Sequence, residues 1–192
     1  MSYRVYIPTA GIGSRLGERT KYINKSLLKI GNKAVISHTI DQFPTDTEFV
    51  ISLGYKGDIV KQYLQLAHPD RKFIFVEVDK YEGPGSGPGY SIMKCKEYLR
   101  CPFYFVSCDS IILPDDWKYN LKLFHSWASF DDVNDAEKEN YCTAQDNEDY
   151  EIVQIFNKSK EGTNHAFTGI AYIKEYDEFW DSLEKETSLE EI

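Results

Sequence analysis

"YIPTAGIGSRLGERTKYINKSLLKIGNK", Tyr6 to Lys33, joins a buried-strand pattern to a glycine-bearing loop and adds two cations, Arg15 and Lys25, that a plain glycine loop does not need. "RVYIPT" (Arg4–Thr9) reads as a first strand, and "GIGSRLG" as the loop behind it. Gly11 and Gly13 let the backbone approach a ligand closely, and free N–H groups at a loop-to-helix junction attract phosphate. The loop is not a Walker A motif, because no GK[ST] follows. It also departs from the dinucleotide fingerprint, since Leu16 holds the third small position and Gly17 comes one residue late. Glycine spacing alone therefore leaves nucleotide binding open. Arg15 can bridge two phosphate oxygens with its planar fork. Lys25 opens the apolar run "SLLKI" and can present a point charge to the same anion. Lys21, Lys29 and Lys33 read as solvated cations, and spacing by itself does not select Lys25 among the four.

Strand and helix patterns alternate outward from this stretch. Ala34–Phe43 places Val35, Ile36, Ile40 and Phe43 on one helical stripe. Thr47–Gly54 is a second strand, with Asp58 as the expected N-cap of "IVKQYLQLA". Lys72–Asp79 is a third strand, Gly83–Gly89 a flexible turn, Tyr90–Leu99 a helix and Pro102–Ile112 a fourth strand. Such alternation implies βαβ crossovers, hence an α/β fold of three layers with a mainly parallel, mixed, Rossmann-like sheet. Ligands gather at the carboxyl ends of the strands in such sheets. The loop Gly11–Gly17 and Asp109 should then face one crevice. Further on, Ser129–Tyr141 is acidic and reads as a solvated loop or insertion. "YEIVQIFNKSKEG" and "AFTGIAYIKEYDEFWDSL" read as two more strands and a final helix, mixed or antiparallel, before an acidic, helix-prone tail. No internal repeat is evident, and one domain over residues 1–192 is expected.

Asp and Glu outnumber Lys and Arg by 31 to 22, a formal charge of −9, which argues against a nucleic-acid backbone or an anionic membrane as partner. Fourteen Tyr and eleven Phe argue against disorder. Cys95, Cys101, Cys108 and Cys142 form no CxxC pair and have no His at a zinc-finger offset, so free thiols in a soluble, cytoplasmic protein are expected. No apolar run approaches the ~20 residues of a membrane span, and no signal peptide is read.

The opening stretch resembles that of the sugar-phosphate nucleotidylyltransferases, with a glycosyltransferase-A-like fold. Their pattern is a strand ending in AAGxGxRL, a variable stretch, then PKxLxxIxxKP and two further positions. Here stand Ala10-Gly11-Ile12-Gly13-Ser14-Arg15-Leu16, then Asn24-Lys25-Ser26-Leu27-Leu28-Lys29-Ile30 and Lys33-Ala34-Val35-Ile36. Pro8-Thr9 replaces the usual lead-in, Asn24 the first proline and Ala34 the second; no charged group is lost. The resemblance continues through "ISLGYKGDIVKQYL", "EGPGSGPGYSIMKCKEYL", "FYFVSCDSII", "VQIFNKSKEG" and "FTGIAYIKEYDEFWDSL", covering most of residues 3–187. In the fourth of these, Asn157 and Lys158 stand at the Glu and Lys of an EKP segment.

The resemblance implies a Mg²⁺-dependent enzyme that joins an NTP to a phosphate monoester and releases pyrophosphate. Arg15 would hold the β- and γ-phosphates, Lys25 would neutralise the α-phosphate, and Asp109 would bind Mg²⁺. Ala10, Gly11, Gly13, Ser14, Glu82, Gly85 and Gly87 would hold the nucleotide; Lys158, Thr168 and Gly169 would hold the acceptor. The acceptor expected is a sugar 1-phosphate or a small phosphorylated alcohol such as phosphocholine, with CTP preferred and a capsule or lipopolysaccharide-type glycan as destination. Two departures bear on this. The family's second metal-binding Asp lies beyond the final helix, where this chain stops, so either the chain is the front part of a longer or fused enzyme, which is the expectation, or the metal site is reduced; Asp177 and Asp181 read as surface charge. Ile111 stands where a nucleotide-sugar-using glycosyltransferase would place the second Asp of DxD, which disfavours that alternative. A nucleotide-binding module without turnover is the other alternative. NAD(P) binding is disfavoured, because Gly54-Tyr55 rather than an acid ends the second strand.

Overall fold

The structure, a computed structural model, describes residues 3–111, 126–130, 133–134, 137–149 and 151–190, without the side chains of 126–130 and 187–190. In chain order the elements are β1 (Arg4–Pro8), β2 (Lys29–Ile30), β3 (Lys33–Ala34), α1 (Val35–Ile40), β4 (Glu48–Leu53), α2 (Gly57–Ala67), β5 (Lys72–Glu77), α3 (Pro88–Lys94) and β6 (Phe103–Val106). They continue with β7 (Ser126–Phe130), β8 (Cys142–Asp146), β9 (Ile152–Asn157), β10 (His165–Ile173) and α4 (Tyr176–Glu190). The chain divides into two compact units, one of residues 1–125 and 172–192, the other of Ser126–Ala171.

In the first unit four strands run parallel in the order β5-β4-β1-β6. Val5 pairs with Phe49 on one side and Tyr104 on the other, which makes β1 central. A central parallel strand is covered on both faces, and Val5, Tyr6 and Ile7 are accordingly buried in succession, without polar alternation. The chain lays β4 and β5 on one side of β1 and then returns to place β6 on the other. That reversal opens a crevice at the carboxyl ends of β1 and β6, the switch point where α/β sheets bind ligands.

The helices pack as their stripes require. Val35, Ile36 and Ile40 of α1 are buried, as is Phe43 just beyond it. Ser37 Oγ lies 2.9 Å from the Tyr63 hydroxyl and 2.8 Å from His68 Nε2, joining α1 to α2 and the residue that ends it. In α4, the Trp180 ring stacks on Phe103 and its indole N–H donates to the Leu99 carbonyl at 3.2 Å. In the second unit β8 pairs antiparallel with both β9 and β10, and β7 pairs with β10. The α/β class and the mainly parallel, mixed sheet agree with the sequence reading.

Several local expectations are corrected. Asp58 does not cap α2: the helix begins at Gly57, after Lys56 in a left-handed conformation (φ 53°), and Asp58 sits inside its first turn. The Gly54–Gly57 turn, closed by the Gly57 N–H on the Gly54 carbonyl, starts the helix early. "SRLGERT" is a 3₁₀ turn kinked at Gly17 rather than open loop. Helix α3 begins at Pro88, whose fixed φ and missing N–H suit a first helical position. β6 ends at Val106, and Ile112 lies outside the described residues. β8 was not read as a strand: "CTAQD" has weak β propensity, and its strand form comes from partners on both sides. The acidic stretch 129–141 overlaps the end of β7 and contains a buried Val133; residues 131–132 and 135–136 lie outside the described ones.

Two core thiols carry a pH signature. Burial pushes Cys95 and Cys108 up to about 12, from an ordinary value of 9.0. Each titrates higher folded than unfolded, so its contribution is fully present below pH 9 and declines as pH rises toward 12. The expected loss is about 1.4 kcal/mol per thiol by pH 10. Urea unfolding under reductant at pH 8 and pH 10 checks this, with Cys95→Ala removing one such increment from the difference.

Candidate functional site

The end of β1 is held by its neighbour strand. Thr9 N–H donates to the Ser52 carbonyl at 3.1 Å and its hydroxyl to the same oxygen at 2.7 Å. The Ala10 carbonyl accepts from the Tyr55 N–H at 2.8 Å. Gly54 is required here by close approach: a Cβ on it would lie 2.7 Å from the Ala10 carbonyl oxygen and 2.9 Å from Tyr81 Cδ1. Gly13 is required by conformation (φ 69°) and by the Lys25 side chain, whose Cβ would lie 3.3 Å from an added methyl. Thr20 closes the loop, its hydroxyl lying 3.2 Å from both the Gly13 and Gly17 carbonyls. The Tyr55 hydroxyl braces the loop's far end, shared between the Thr20 and Lys21 carbonyls at 2.9 Å each.

Asn24 is the residue that sequence reasoning missed as a functional support. It is completely buried, and its amide nitrogen donates to the carbonyls of Thr9 (2.8 Å) and Tyr55 (2.7 Å). Its oxygen accepts from the Ser26 N–H at 3.0 Å and the Ser26 hydroxyl at 2.8 Å. All the hydrogen-bonding capacity of the amide is thus engaged. It ties the end of β1, the turn after β4 and the short 3₁₀ turn Lys25–Leu27 to one point, and so fixes the backbone from which Lys25 projects. The available signal was a polar residue with two-sided bonding at a position where the resembling family has proline.

Lys25 Nζ meets Asp109 Oδ2 at 3.1 Å, 84 residues away in sequence. Asp109 follows β6 on a turn closed by the Ser110 N–H on the Ser107 carbonyl. The turn is tethered to α1 by the Thr39 hydroxyl, which donates to the Ser110 carbonyl at 3.0 Å. Lys25 is about three-quarters covered while the Asp109 side chain is half exposed, so the pair faces outward with its carboxylate in water. Burial lowers the Lys25 pKa, but the neighbouring Cys108 and Asp109 outweigh it and the net direction is up. The Cys108 thiol, at about 12, is neutral at ordinary pH, so the Asp109 carboxylate is the anion that matters there. Lys25 is therefore a permanent cation.

Arg15 lies in the same loop, exposed, with no hydrogen-bond or ion-pair partner among the described residues. Ser14, next to it, is exposed too. Glu82, Gly85 and Gly87 sit in the turn before α3, pinned by the Ser86 hydroxyl on the Gly83 carbonyl at 2.7 Å. The first unit thus brings Lys25 and Asp109 into contact and seats Gly13 on the lysine stem. Lys158, Thr168 and Gly169 belong to the second unit: Lys158 is exposed with φ 51°, its N–H on the Tyr141 carbonyl at 3.1 Å, and Gly169 has φ 87°. A concavity of about 340 Å³ lined by His68, Arg71, Phe73 and Phe75 lies where α2 ends and β5 begins, at the opposite end of the strands. Arg71 there is committed to the carbonyls of Phe43 and Pro44, and the concavity adds nothing to this site.

For a divalent cation, the described residues contain no group of three His, Cys, Asp or Glu side chains. At the site Asp109 offers an outward-facing carboxylate, whose Oδ2 meets Lys25. That donor set suits Mg²⁺, which keeps waters and takes one or two carboxylates plus substrate phosphates, better than an all-protein cage.

No protein-family model matches the chain. A Bacillus subtilis (strain 168) protein named as a glucose-1-phosphate cytidylyltransferase is 39% identical over 62 residues, 31% of this chain and 24% of that protein. The glucose-1-phosphate cytidylyltransferase of Salmonella typhimurium is 32% identical over 62 residues, with the same coverage. The matched stretch therefore spans about a quarter of each relative. Among solved structures, a UDP-glucose pyrophosphorylase complexed with UDP-glucose superposes with a TM-score of 0.77 at 19% identity, covering 91% of this chain and 76% of that one. A UDP-glucose pyrophosphorylase from Acinetobacter baumanii gives 0.73 at 14% identity, covering 91% and 75%. The fold is that of these enzymes, and the sequence matches agree with the resemblance read from the motifs.

The Asn24 amide makes a direct prediction. Asn24→Ala strands the Thr9 and Tyr55 carbonyls and the Ser26 N–H, at about 1–3 kcal/mol for each group left unpaired. A total loss of about 3 kcal/mol or more is expected, measured by urea unfolding. Asn24→Asp should be at least as unstable at pH 7.5, because a carboxylate faces two carbonyls. It should recover partly at pH 5, where the carboxyl regains a proton.

Proposed function

We propose that this chain, alike in motif and fold to the sugar-phosphate nucleotidylyltransferases, transfers a nucleotidyl group from an NTP to a phosphate monoester. The observation that carries the reading is the 3.1 Å contact of Lys25 with Asp109 beside the glycine turn that bears Arg15. A cation and a carboxylate that the motif assigns to one reaction meet across 84 residues of chain at the ligand-binding edge of the sheet.

The chemistry asks for little covalent help. An oxygen of the acceptor's phosphate attacks the α-phosphorus of the NTP. The bond from that phosphorus to the bridging oxygen breaks, and pyrophosphate leaves with the electron pair. Catalysis of such a transfer is positioning and charge neutralisation. Arg15, without a partner among the described residues and bearing a planar fork, suits the β- and γ-phosphates and the leaving pyrophosphate. Lys25 suits the α-phosphate, because its charge persists and its stem is held by Gly13 and the Asn24 turn. Ala10, Gly11, Gly13 and Ser14, with Glu82, Gly85 and Gly87, would hold the nucleotide. Lys158, Thr168 and Gly169 would receive the acceptor. Asp109 would hold Mg²⁺, which when bound neutralises phosphate charge that the protein's own cations do not cover.

The relatives' names favour CTP with glucose 1-phosphate as the first pair to test. Phosphocholine, expected from the sequence, is the second acceptor. A cytoplasmic site of action and a part in capsule or lipopolysaccharide synthesis accompany this reading. Among the described residues no helix is long and apolar enough to cross a membrane.

Pyrophosphate release, measured with CTP, UTP, dTTP, ATP and GTP against each acceptor, tests the proposal. The expected result is Mg²⁺-dependent release that EDTA stops. Lys25→Ala should lower kcat by about 100-fold or more while changing stability by less than about 1 kcal/mol. Asp109→Asn should remove the response to Mg²⁺. An undiminished Lys25→Ala enzyme would refute the assignment. Triphosphate binding without pyrophosphate release from any pair would favour the non-catalytic nucleotide-binding module.

A further inference from the structure

The segment that leaves β5 presents three polar side chains in a row, of which only the first is satisfied by the protein. Asp79 binds Lys94 at 2.9 Å and the Tyr90 hydroxyl at 2.8 Å. Those two bonds, Lys94 first, pull its carboxyl down to about 2. The next two residues, Lys80 and Tyr81, have no hydrogen-bond or ion-pair partner among the described residues. Both are nevertheless held in place. The Tyr81 ring lies against Gly54, near the Ala10 carbonyl, so that an added Gly54 Cβ would be 2.9 Å from one and 2.7 Å from the other. The Lys80 ammonium lies over the Gly83–Gly85 turn, 2.5 Å from where a Gly85 Cβ would stand. Tyr81 remains 36% exposed, an aromatic ring with one side fixed on glycine and the rest turned outward.

These two side chains therefore connect the segments that the nucleotidyl-transfer reading gives to the nucleoside: Ala10–Gly11 on one side, Glu82–Gly87 on the other. We infer that Tyr81 is the surface on which the nucleobase lies and that Lys80 donates to the base's acceptor edge, making this pair the specificity determinants of the site. The inference rests on that reading of the site. A base stacks on an aromatic ring whatever its identity, so Tyr81 supplies affinity. An ammonium is donor-only, so Lys80 supplies discrimination. Cytosine sets O2 and N3 side by side as two acceptors, which a donor-only head matches. Uracil and thymine instead place an N–H donor between their two carbonyls. Among the pyrimidines, the site so built favours a cytosine nucleotide.

Calorimetric binding of CTP and UTP to the intact protein with Mg²⁺, beside pyrophosphate release, tests this. Tyr81→Ala should weaken CTP binding by about 10- to 100-fold, and Tyr81→Phe should leave it within about threefold. Tyr81→Leu keeps packing on Gly54 without a stacking ring, and should weaken binding even if the alanine variant fails to fold. Lys80→Met should weaken CTP about 10-fold and UTP less, narrowing the ratio between them. If the parent binds and turns over CTP and these variants bind it unchanged, the inference is overturned while the function stands. If the parent binds no triphosphate, both fall.

Discussion

The site depends on a buried amide that touches no substrate. Asn24 gathers the carbonyls of Thr9 and Tyr55 and both polar groups of Ser26 into one saturated node. A buried polar group is stabilising only when fully paired, and a half-satisfied one is worse than an apolar replacement. The node is therefore all-or-nothing: either the loop, the turn after β4 and the Lys25 turn share one arrangement, or the amide is stranded. This is how a glycine-bearing loop is tied to its neighbours. Proline at this position would set φ and remove a donor. Asparagine reaches a comparable end by bonding outward to two neighbouring segments.

Around the node the charges fit the anion that the proposed reaction brings. Among the described residues Arg15 has no carboxylate partner, and Lys25 has Asp109. Surface cations usually find partners or hydrate freely at little consequence. Here one is placed in a constrained turn and the other is mostly covered, with its charge kept by Asp109 against the cost of burial. Under the proposed reading the lysine would meet the polyphosphate, and the exposed carboxylate beside it would hold a hard metal ion.

The parallel sheet explains why the parts are so far apart in sequence. Side chains at the carboxyl ends of β1 and β6 are neighbours because β6 pairs with β1. The chain reaches β6 only after laying down β4 and β5 on the other side. Lys25 and Asp109 thus meet through topology, and the Thr39 bond to Ser110 shows α1 holding the second partner from behind.

Much of this was legible in the chain itself. Consecutive apolar residues in Val5–Ile7 and Phe49–Ile51 identify strands covered on both faces, and the stripe of Val35, Ile36 and Ile40 identifies a packed helix, because periodicity reports burial directly. Arg15, Lys25 and Asp109 were legible as candidates because their types and offsets match a motif. What the chain could not show were features created by contact between distant segments. β8 is a strand because β9 and β10 flank it, whatever the propensity of "CTAQD". Helix α2 starts before Asp58 because Gly54 is pressed against Ala10 and turns the chain early. Asn24 looked like a departure from pattern until its four partners, three of them carbonyl or hydroxyl oxygens on separate residues, were gathered round it. Composition and spacing settle which residues are buried and which chemistry is present. Which cation is paired, which is left open and which aromatic ring faces the crevice are settled by long-range packing, because hydrogen bonds and close contacts form between residues that no local pattern relates.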